Sequence, residues 1–286
     1  MTRSPALAAA AAVAIAAASC ERNVAVGHED APVTVGAQPP VGEAGAGGVE
    51  PEGDAGEGGQ GGARLVGDAG MAGEGTSPSW SADHETGTLD QWLGDGAGLR
   101  YLEGSGTLAI SSEHAHSGQY AFVASITADD GAQHQAVLGR DLIQSEGRYG
   151  AWYYLPVAPR ADYWVIMKLS NGPLVDRFDI DIEVPAGGQP HLRLYEHDDG
   201  WISEPSSLVF PTRQWVHVEA LYRSTAQDNG RLVVLQDGQQ VLDSGPRPTA
   251  SDAHVTFFCG SSSRYVSPAP YRLFIDDASV REDRVP

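Results

Sequence analysis

The chain has 286 residues but only two cysteines, three methionines and a single lysine, Lys168. Cys20 and Cys259 alone cannot make a disulfide framework, so the fold must be held by a buried core. Zinc-type ligand spacing is missing: His114 and His116 share a turn with Glu113 but have no third partner. No Gly-x-Ser-x-Gly elbow, phosphate loop or dinucleotide fingerprint occurs, which argues against elbow hydrolases and nucleotide cofactors. Basic charge is scarce too. The formal net charge is −20, with 10 acidic against 2 basic residues over 21–79 and 28 against 15 over 80–286. Nucleic acid and anionic headgroups are therefore poor partners, because binding them depends on basic patches. With one lysine, the cations are nearly all arginines, whose planar forks suit hydrogen-bonded recognition of carboxylates or sugars.

There is one long apolar run, Pro5 to Ala18, preceded by Arg3. It has the form of a secretory signal and is too short to span a bilayer. Ala17-Ala18-Ser19-Cys20 resembles a bacterial lipoprotein lipobox, with Ala17 where Leu is usual, so Cys20 is the expected lipidation site. Ordinary cleavage after Ala16-Ala17-Ala18, releasing a secreted protein, is the alternative. Residues 1–19 are thus read as a lipoprotein-type signal peptide, 20–79 as a Gly-rich disordered linker and 80–286 as one domain. The linker has no strand-length apolar run and no helical period, and its glycines do not fall on every third residue, which excludes a collagen helix. As a flexible coil it would span roughly 40–45 Å, enough to hold a domain clear of a membrane.

From Trp80 onward the apolar pattern has period two, in runs broken by Gly, Pro, Asn and Asp. Twelve strands are expected: Thr107–Ser112, Tyr120–Thr127, His134–Arg140, Arg148–Leu155, Tyr163–Leu169, Arg177–Val184, His191–Glu196, Trp215–Arg223, Arg231–Gln236, Gln239–Leu242, His254–Cys259 and Tyr271–Val280. Asp237-Gly238 between two of them is a strong type I′ hairpin signal. Cys259 lies in an apolar run and reads as a small buried hydrophobe. The expected fold is all-β, a two-sheet antiparallel β-sandwich preceded by a disordered tether.

Local patterns sharpen this. His84 to Trp92 resembles the opening strand and turn of carbohydrate-binding jelly rolls, Ser112 to Ala121 their second hairpin, and Leu273 to Val280 their closing strand. Gln214 to Glu219 followed by Leu232 to Leu242 resembles laminin-G-type and polysaccharide-lyase-like members of the concanavalin A-like superfamily. The resemblance implies a jelly roll and, at the meeting of first and last strands, a structural calcium held by Glu85 and Asp276. Asp83 and Asp277 could add to it, although strand neighbours point opposite ways.

Alternation puts Asp179, Asp181 and Glu183 on one face while Phe178, Ile180, Ile182 and Val184 turn to the core. The pattern resembles the Glu-x-Asp-x-Glu strand of laminarinase-type glycoside hydrolases, with Asp179 at the nucleophile position. A retaining mechanism wants its two carboxyl groups about 5–5.5 Å apart, whereas the α-carbons of Asp179 and Glu183 in a regular strand are about 13–14 Å apart. Neighbouring strands offer Trp164 and Lys168 on one face, Arg193 and Tyr195 alternating with leucines, and His217 and Glu219 alternating with valines. If these converge they line a groove whose rings stack on sugars and whose charges bind hydroxyls or uronates. A lyase would use Tyr195 or His217 as base and Arg193 to neutralise the uronate, with Asp181 and Glu183 as further catalytic candidates. The Gln-x-His signature of alginate-lyase jelly rolls is absent, since Gln133-His134 lacks the intervening residue.

The expectation is an exported, lipid-anchored, lectin-like protein of the cell envelope or outer surface, binding polysaccharide or glycan as a monomer and touching the membrane only through its anchor. Non-catalytic binding is favoured over enzymatic turnover. A polysaccharide lyase of the same fold, with a glycoside hydrolase behind it, is one alternative. A non-catalytic envelope domain that recognises another protein is the other.

Overall fold

The structure, a computed structural model, describes residues 79–160, 163–172, 175–198, 200–249 and 254–286. The signal peptide, Cys20 and the linker up to residue 78 lie outside the described residues. All twelve expected runs form strands, with ends moved by a few residues. They are β3 (Gly106–Ser111), β4 (Ala121–Ile126), β5 (His134–Ile143), β6 (Glu146–Tyr154), β7 (Trp164–Ser170), β8 (Asp176–Glu183), β9 (His191–Glu196), β10 (Trp215–Arg223), β11 (Arg231–Gln236), β12 (Gln239–Asp243), β13 (His254–Ser263) and β14 (Tyr271–Arg281). Two strands escaped the pattern: β1 (Trp80–Ala82) has three residues, and β2 (Gly98–Glu103) is a half-exposed edge with no clean alternation. Between them α1 (Asp90–Leu93) is a single helical turn that buries Trp92.

Sheet A runs β12-β11-β10-β6-β14-β4-β3, with β1 also paired to β14, and sheet B runs β2-β5-β13-β7-β8-β9. Every pairing is antiparallel. The first strand closes on the last through Trp80 opposite Val280, so the described chain ends are joined within one sheet. Asp237 and Gly238 take φ values of 50° and 78°, the two left-handed residues a type I′ turn requires.

The inner faces of both sheets form one core. Trp92, Phe122, Tyr149, Tyr153, Phe257 and Tyr271 are fully buried or nearly so, and fully burying a large apolar side chain is worth about 1.5–3 kcal/mol. Cys259 belongs to this core, its sulfur accepting the Tyr153 hydroxyl at 3.2 Å, and burial pushes its thiol far above the usual range. It is an inert core residue.

Three departures from regular pairing decide which residues face outward. The register shifts between Val165 and Met167 against β8, between Cys259 and Ser262 against β7, and between Asp276 and Ser279 against β6. The first two are one irregularity in β7 seen from its two neighbours, since β13 keeps unbroken register with β5; that irregularity and the extra residue in β14 each flip the side-chain alternation beyond them.

Candidate functional site

The outer face of sheet B carries most of the polar residues singled out above. β8 and β9 pair without interruption from Phe178–Glu196 to Glu183–His191, so Asp179, Asp181 and Glu183 do share one face, with Ile180 and Ile182 in the core and Val184 packed against it. On β9 the partners directly opposite are Tyr195 for Asp179 and Arg193 for Asp181. Arg193 donates to Glu183 at 3.2 Å and to Asp181 at 3.3 Å. Lys168 lies 3.8 Å from Asp179, and the His197 Nε2 is 3.0 Å from its other oxygen.

Asp179 and Asp181 are not presented to solvent, with only 6% and 2% of their surface exposed. They lie beneath Lys168, Arg193 and His197 and hold those groups in place. Burial raises the Asp181 carboxyl well above the ordinary carboxylate range, the Asp179 charge adds to that, and Arg193 opposes it. The unbroken register leaves no bulge to draw Asp179 toward Glu183, and the bases already occupy the acids. The hydrolase-type pair is therefore not assembled.

Trp164 is a correction. The shift between Val165 and Met167 puts Trp164 opposite Ile182 and Met167 opposite Ile180, both inward, while Val165 and Lys168 lie opposite Asp181 and Asp179, facing out. Trp164 is fully buried, donates its indole N–H to Ser261 Oγ at 2.7 Å and meets Tyr271 edge-on. It is a core residue and offers no stacking surface.

The same bulge turns Tyr163 outward, a residue the alternation had not singled out. Its hydroxyl donates to Gln133 Oε1 at 3.3 Å, and Gln133 Nε2 donates to Ser262 Oγ at 2.9 Å. Burial raises the Tyr163 phenol, with the charges of Arg264, Asp181, Asp179 and Lys168 acting on it as well. His134 points the other way, buried, with its Nε2 2.9 Å from Asp130 and its Nδ1 accepting the Ser105 N–H. His197 could have been read, since it continues the outward series Arg193, Tyr195. Tyr163 could not, because its facing depends on the β7 bulge, whereas Gln133 and Ser262 follow the unbroken alternation of β5 and β13.

At the end of sheet B where β8 and β13 finish, a hollow of about 880 Å³ opens among Asp129, Arg160, Val184, Pro185 and Tyr265. Together the outer face of sheet B carries phenols, an amide and positioned cations over a layer of buried acid.

His217 and Glu219 do not join it. Both lie on the outer face of sheet A, on the far side of the sandwich, because β10 pairs with β6 and β11. Trp152 is stacked there between His116 and His217, with ring centroids 3.8 and 4.8 Å away. Burial lowers the His217 imidazole pKa, and Glu219 pairs with Arg148 at 3.2 Å.

Glu85 and Asp276 meet the same loop at different points. Glu85 accepts the N–H groups of Gln119 and Tyr120, both at 2.8 Å. Asp276 is fully buried and accepts N–H groups from His116, Ser117 and Asp277, while His84 Nδ1 stands 3.1 Å from it. The Trp92 indole N–H donates to His84 Nε2, which leaves the His84 proton on Nδ1, aimed at Asp276. Asp83 is bound by Gln91, and Asp277 by His116 and Ser117. These carboxylates face N–H donors, whereas calcium wants a cage of oxygens. Among the described residues no group of three or more His, Cys, Asp or Glu is placed to hold a metal ion. The donor set does not fit the expected calcium.

No protein-family model matches the chain, and no curated protein matches it. Solved structures do. An endo-β-1,4-glucuronan lyase from the fungus Trichoderma reesei superposes with a TM-score of 0.54 at 16% identity, over 72% of this chain and 96% of that one. The cellulose-induced protein Cip1 superposes with a TM-score of 0.53 at 16% identity, over 72% and 98%. At such identity the likeness is one of fold: the described domain is a two-sheet antiparallel β-sandwich of the jelly-roll type.

Proposed function

We propose that the outer face of sheet B is a polysaccharide-binding groove and that the domain is a glycan-binding module. One observation carries this reading: Lys168, Arg193 and His197 are held from below by the buried acids Asp179 and Asp181, beside Tyr163, Gln133 and Tyr195. Preset donors on a rigid sheet, next to a large hollow, suit a hydroxyl-rich chain. The reading is in keeping with the fold neighbours, one of which is a glucuronan lyase.

The test is affinity electrophoresis of the purified full chain through gels containing neutral or uronate polysaccharides. Retardation in at least one gel, lost in Lys168→Ala and weakened in Tyr163→Phe, supports the groove. Unretarded migration across a broad panel moves the domain to a protein partner.

A lyase is the second reading, favoured by the Tyr163–Gln133 pair beside Arg264. Tyr163, as its phenolate, would remove the proton next to a uronate carboxylate, the electron pair would form the ring double bond as the glycosidic bond breaks, and the phenol so formed would give that proton to the departing oxygen. Two features weigh against turnover. The Tyr163 phenol is raised, so it is a reluctant base, and Arg193 is already engaged by two carboxylates. Ultraviolet absorbance of the unsaturated product separates lyase from lectin.

The cellular setting belongs to the same proposal. The Arg3-to-Cys20 leader supports export and anchoring through Cys20 lipid, with the linker as spacer. Incorporation of labelled palmitate that disappears in Cys20→Ser tests it.

A further inference from the structure

On the outer face of sheet A, back to back with the groove, three breaks in the sheet pattern fall at one place. On β6 the outward positions are Arg148, Gly150, Trp152 and Tyr154, and with no side chain at Gly150 the Glu219 and His217 side chains of β10 close over it. A Cβ there would come within 3.0 Å of Glu219 Cγ and 3.3 Å of His217 Nε2. Opposite, β14 bulges between Asp276 and Ser279, and Ser279 pairs with Gly150. At the bulge Asp277 takes a φ of 46°, a left-handed conformation that costs a non-glycine residue strain. A bulge re-aims the side chains around it, and bulges and strained residues are over-represented beside functional sites.

Beside the β14 bulge lies a pocket of about 260 Å³, walled by Trp152, His217, Asp83, Asp277 and Arg281, with Ser81 and Ser279 adding hydroxyls. One wall group is uncommitted and a second is only loosely held. The His217 ring pairs with Glu219 at 3.7 Å and stacks on Trp152, but makes no hydrogen bond among the described residues. Arg281 is exposed and makes no ion pair among the described residues. Asp83 and Asp277, by contrast, are already held by Gln91, His116 and Ser117. Trp152 has an imidazole on each face, so it presents only its edge.

We propose that this pocket is a second ligand site, which takes a single neutral sugar ring. Its volume lies below the roughly 300–1,000 Å³ of sites for drug-sized molecules, so it suits one ring better than an oligomer. Its wall mixes acceptors and donors of both signs, which matches hydroxyl groups that donate and accept. The carboxylates Asp83 and Asp277 repel an anionic ligand, and Arg281 repels a cationic one. The site does not depend on the groove of sheet B, and a chain that bound sugar at both faces would be bivalent.

The test is a titration of nitrogen-labelled full chain with methyl glycosides of glucose, mannose, galactose and N-acetylglucosamine, and with methyl glucuronide and inorganic sulfate as anionic probes. The Trp152 indole resonance, assigned with Trp152→Phe, is the readout. A saturable shift with at least one neutral glycoside is expected, weakened about tenfold in Arg281→Ala and in His217→Ala and unchanged in Tyr163→Phe. Arg281 is exposed, so that variant tests the site without burdening the fold. A shift with the anionic probes alone, a shift indifferent to Arg281→Ala, or no saturable shift with any probe would overturn the proposal.

Discussion

The two outer faces of this sandwich use polar residues in opposite ways. On sheet B the acids are buried and the bases lie over them, so charge is spent on fixing other charges: Asp181 and Glu183 share Arg193, and Asp179 meets Lys168 and His197. On sheet A the rings are stacked on one another, and the guanidinium of the Arg148–Glu219 pair is about one-third exposed although Glu219 is buried. A buried ion network is costly to break because it leaves an uncompensated charge, whereas a half-exposed pair is screened by water. Sheet B should therefore be rigid and all-or-none, and sheet A tolerant.

The largest expected contrast comes from removing one guanidinium on each side. Arg193→Ala strands the Asp181 and Glu183 carboxylates and should cost about 3–5 kcal/mol in urea unfolding, with loss of polysaccharide retardation. Arg148→Ala should cost no more than about 1 kcal/mol and leave retardation intact. Equal costs would erase the distinction between the faces.

Next in size are opposite pH slopes. The Asp181 carboxyl is raised, so the fold favours its protonated form. The stability this contributes is complete below the unfolded carboxylate value and is lost as pH climbs through the raised one. The His217 imidazole is lowered, so the fold favours its neutral form, and that stability is lost as pH falls from the unfolded histidine value through the lowered one. Between pH about 4 and 7 the two contributions therefore have opposite slopes: Asp181→Asn should remove one that falls as pH rises, and His217→Gln one that rises with pH up to the ordinary histidine value, both read as melting temperature against pH. If the two variants change the slope in the same direction, the assignments are wrong.

A smaller effect tests the stack on sheet A. His116→Ala removes one ring from Trp152 and the Asp277 hydrogen bond, and should cost about 1–2 kcal/mol without disturbing the groove. The smallest expectation is none: chelator should leave the melting temperature unchanged, because His84 and backbone N–H groups already satisfy Asp276. A calcium-dependent rise would restore the cation at Glu85 and Asp276.

Much of the domain was legible in the linear pattern. Phe178 to Glu183 alternates cleanly and is a strand with its acids outward, and Asp237-Gly238 makes the turn its chemistry demands. Strand β2 was hidden because a half-exposed edge has no need to alternate. Trp164 was misplaced because one inserted residue reverses parity, and nothing local in Trp164-Val165-Ile166-Met167 marks the insertion. His217 was assigned to the wrong face for another reason: period two tells which side of its own sheet a residue takes, but not which sheet its strand joins.

By itself, then, the sequence determined an all-β domain with a buried aromatic core, an acidic surface and no disulfide scaffold, because periodicity and composition act residue by residue along the chain. Only the tertiary structure decided that Tyr163 and Gln133 meet over buried acids, that His217 turns its back on them, and that Asp277 and Arg281 wall a pocket on the opposite face. Those outcomes depend on strand order and on the bulges in β7 and β14, which are set by the packing of distant strands against one another.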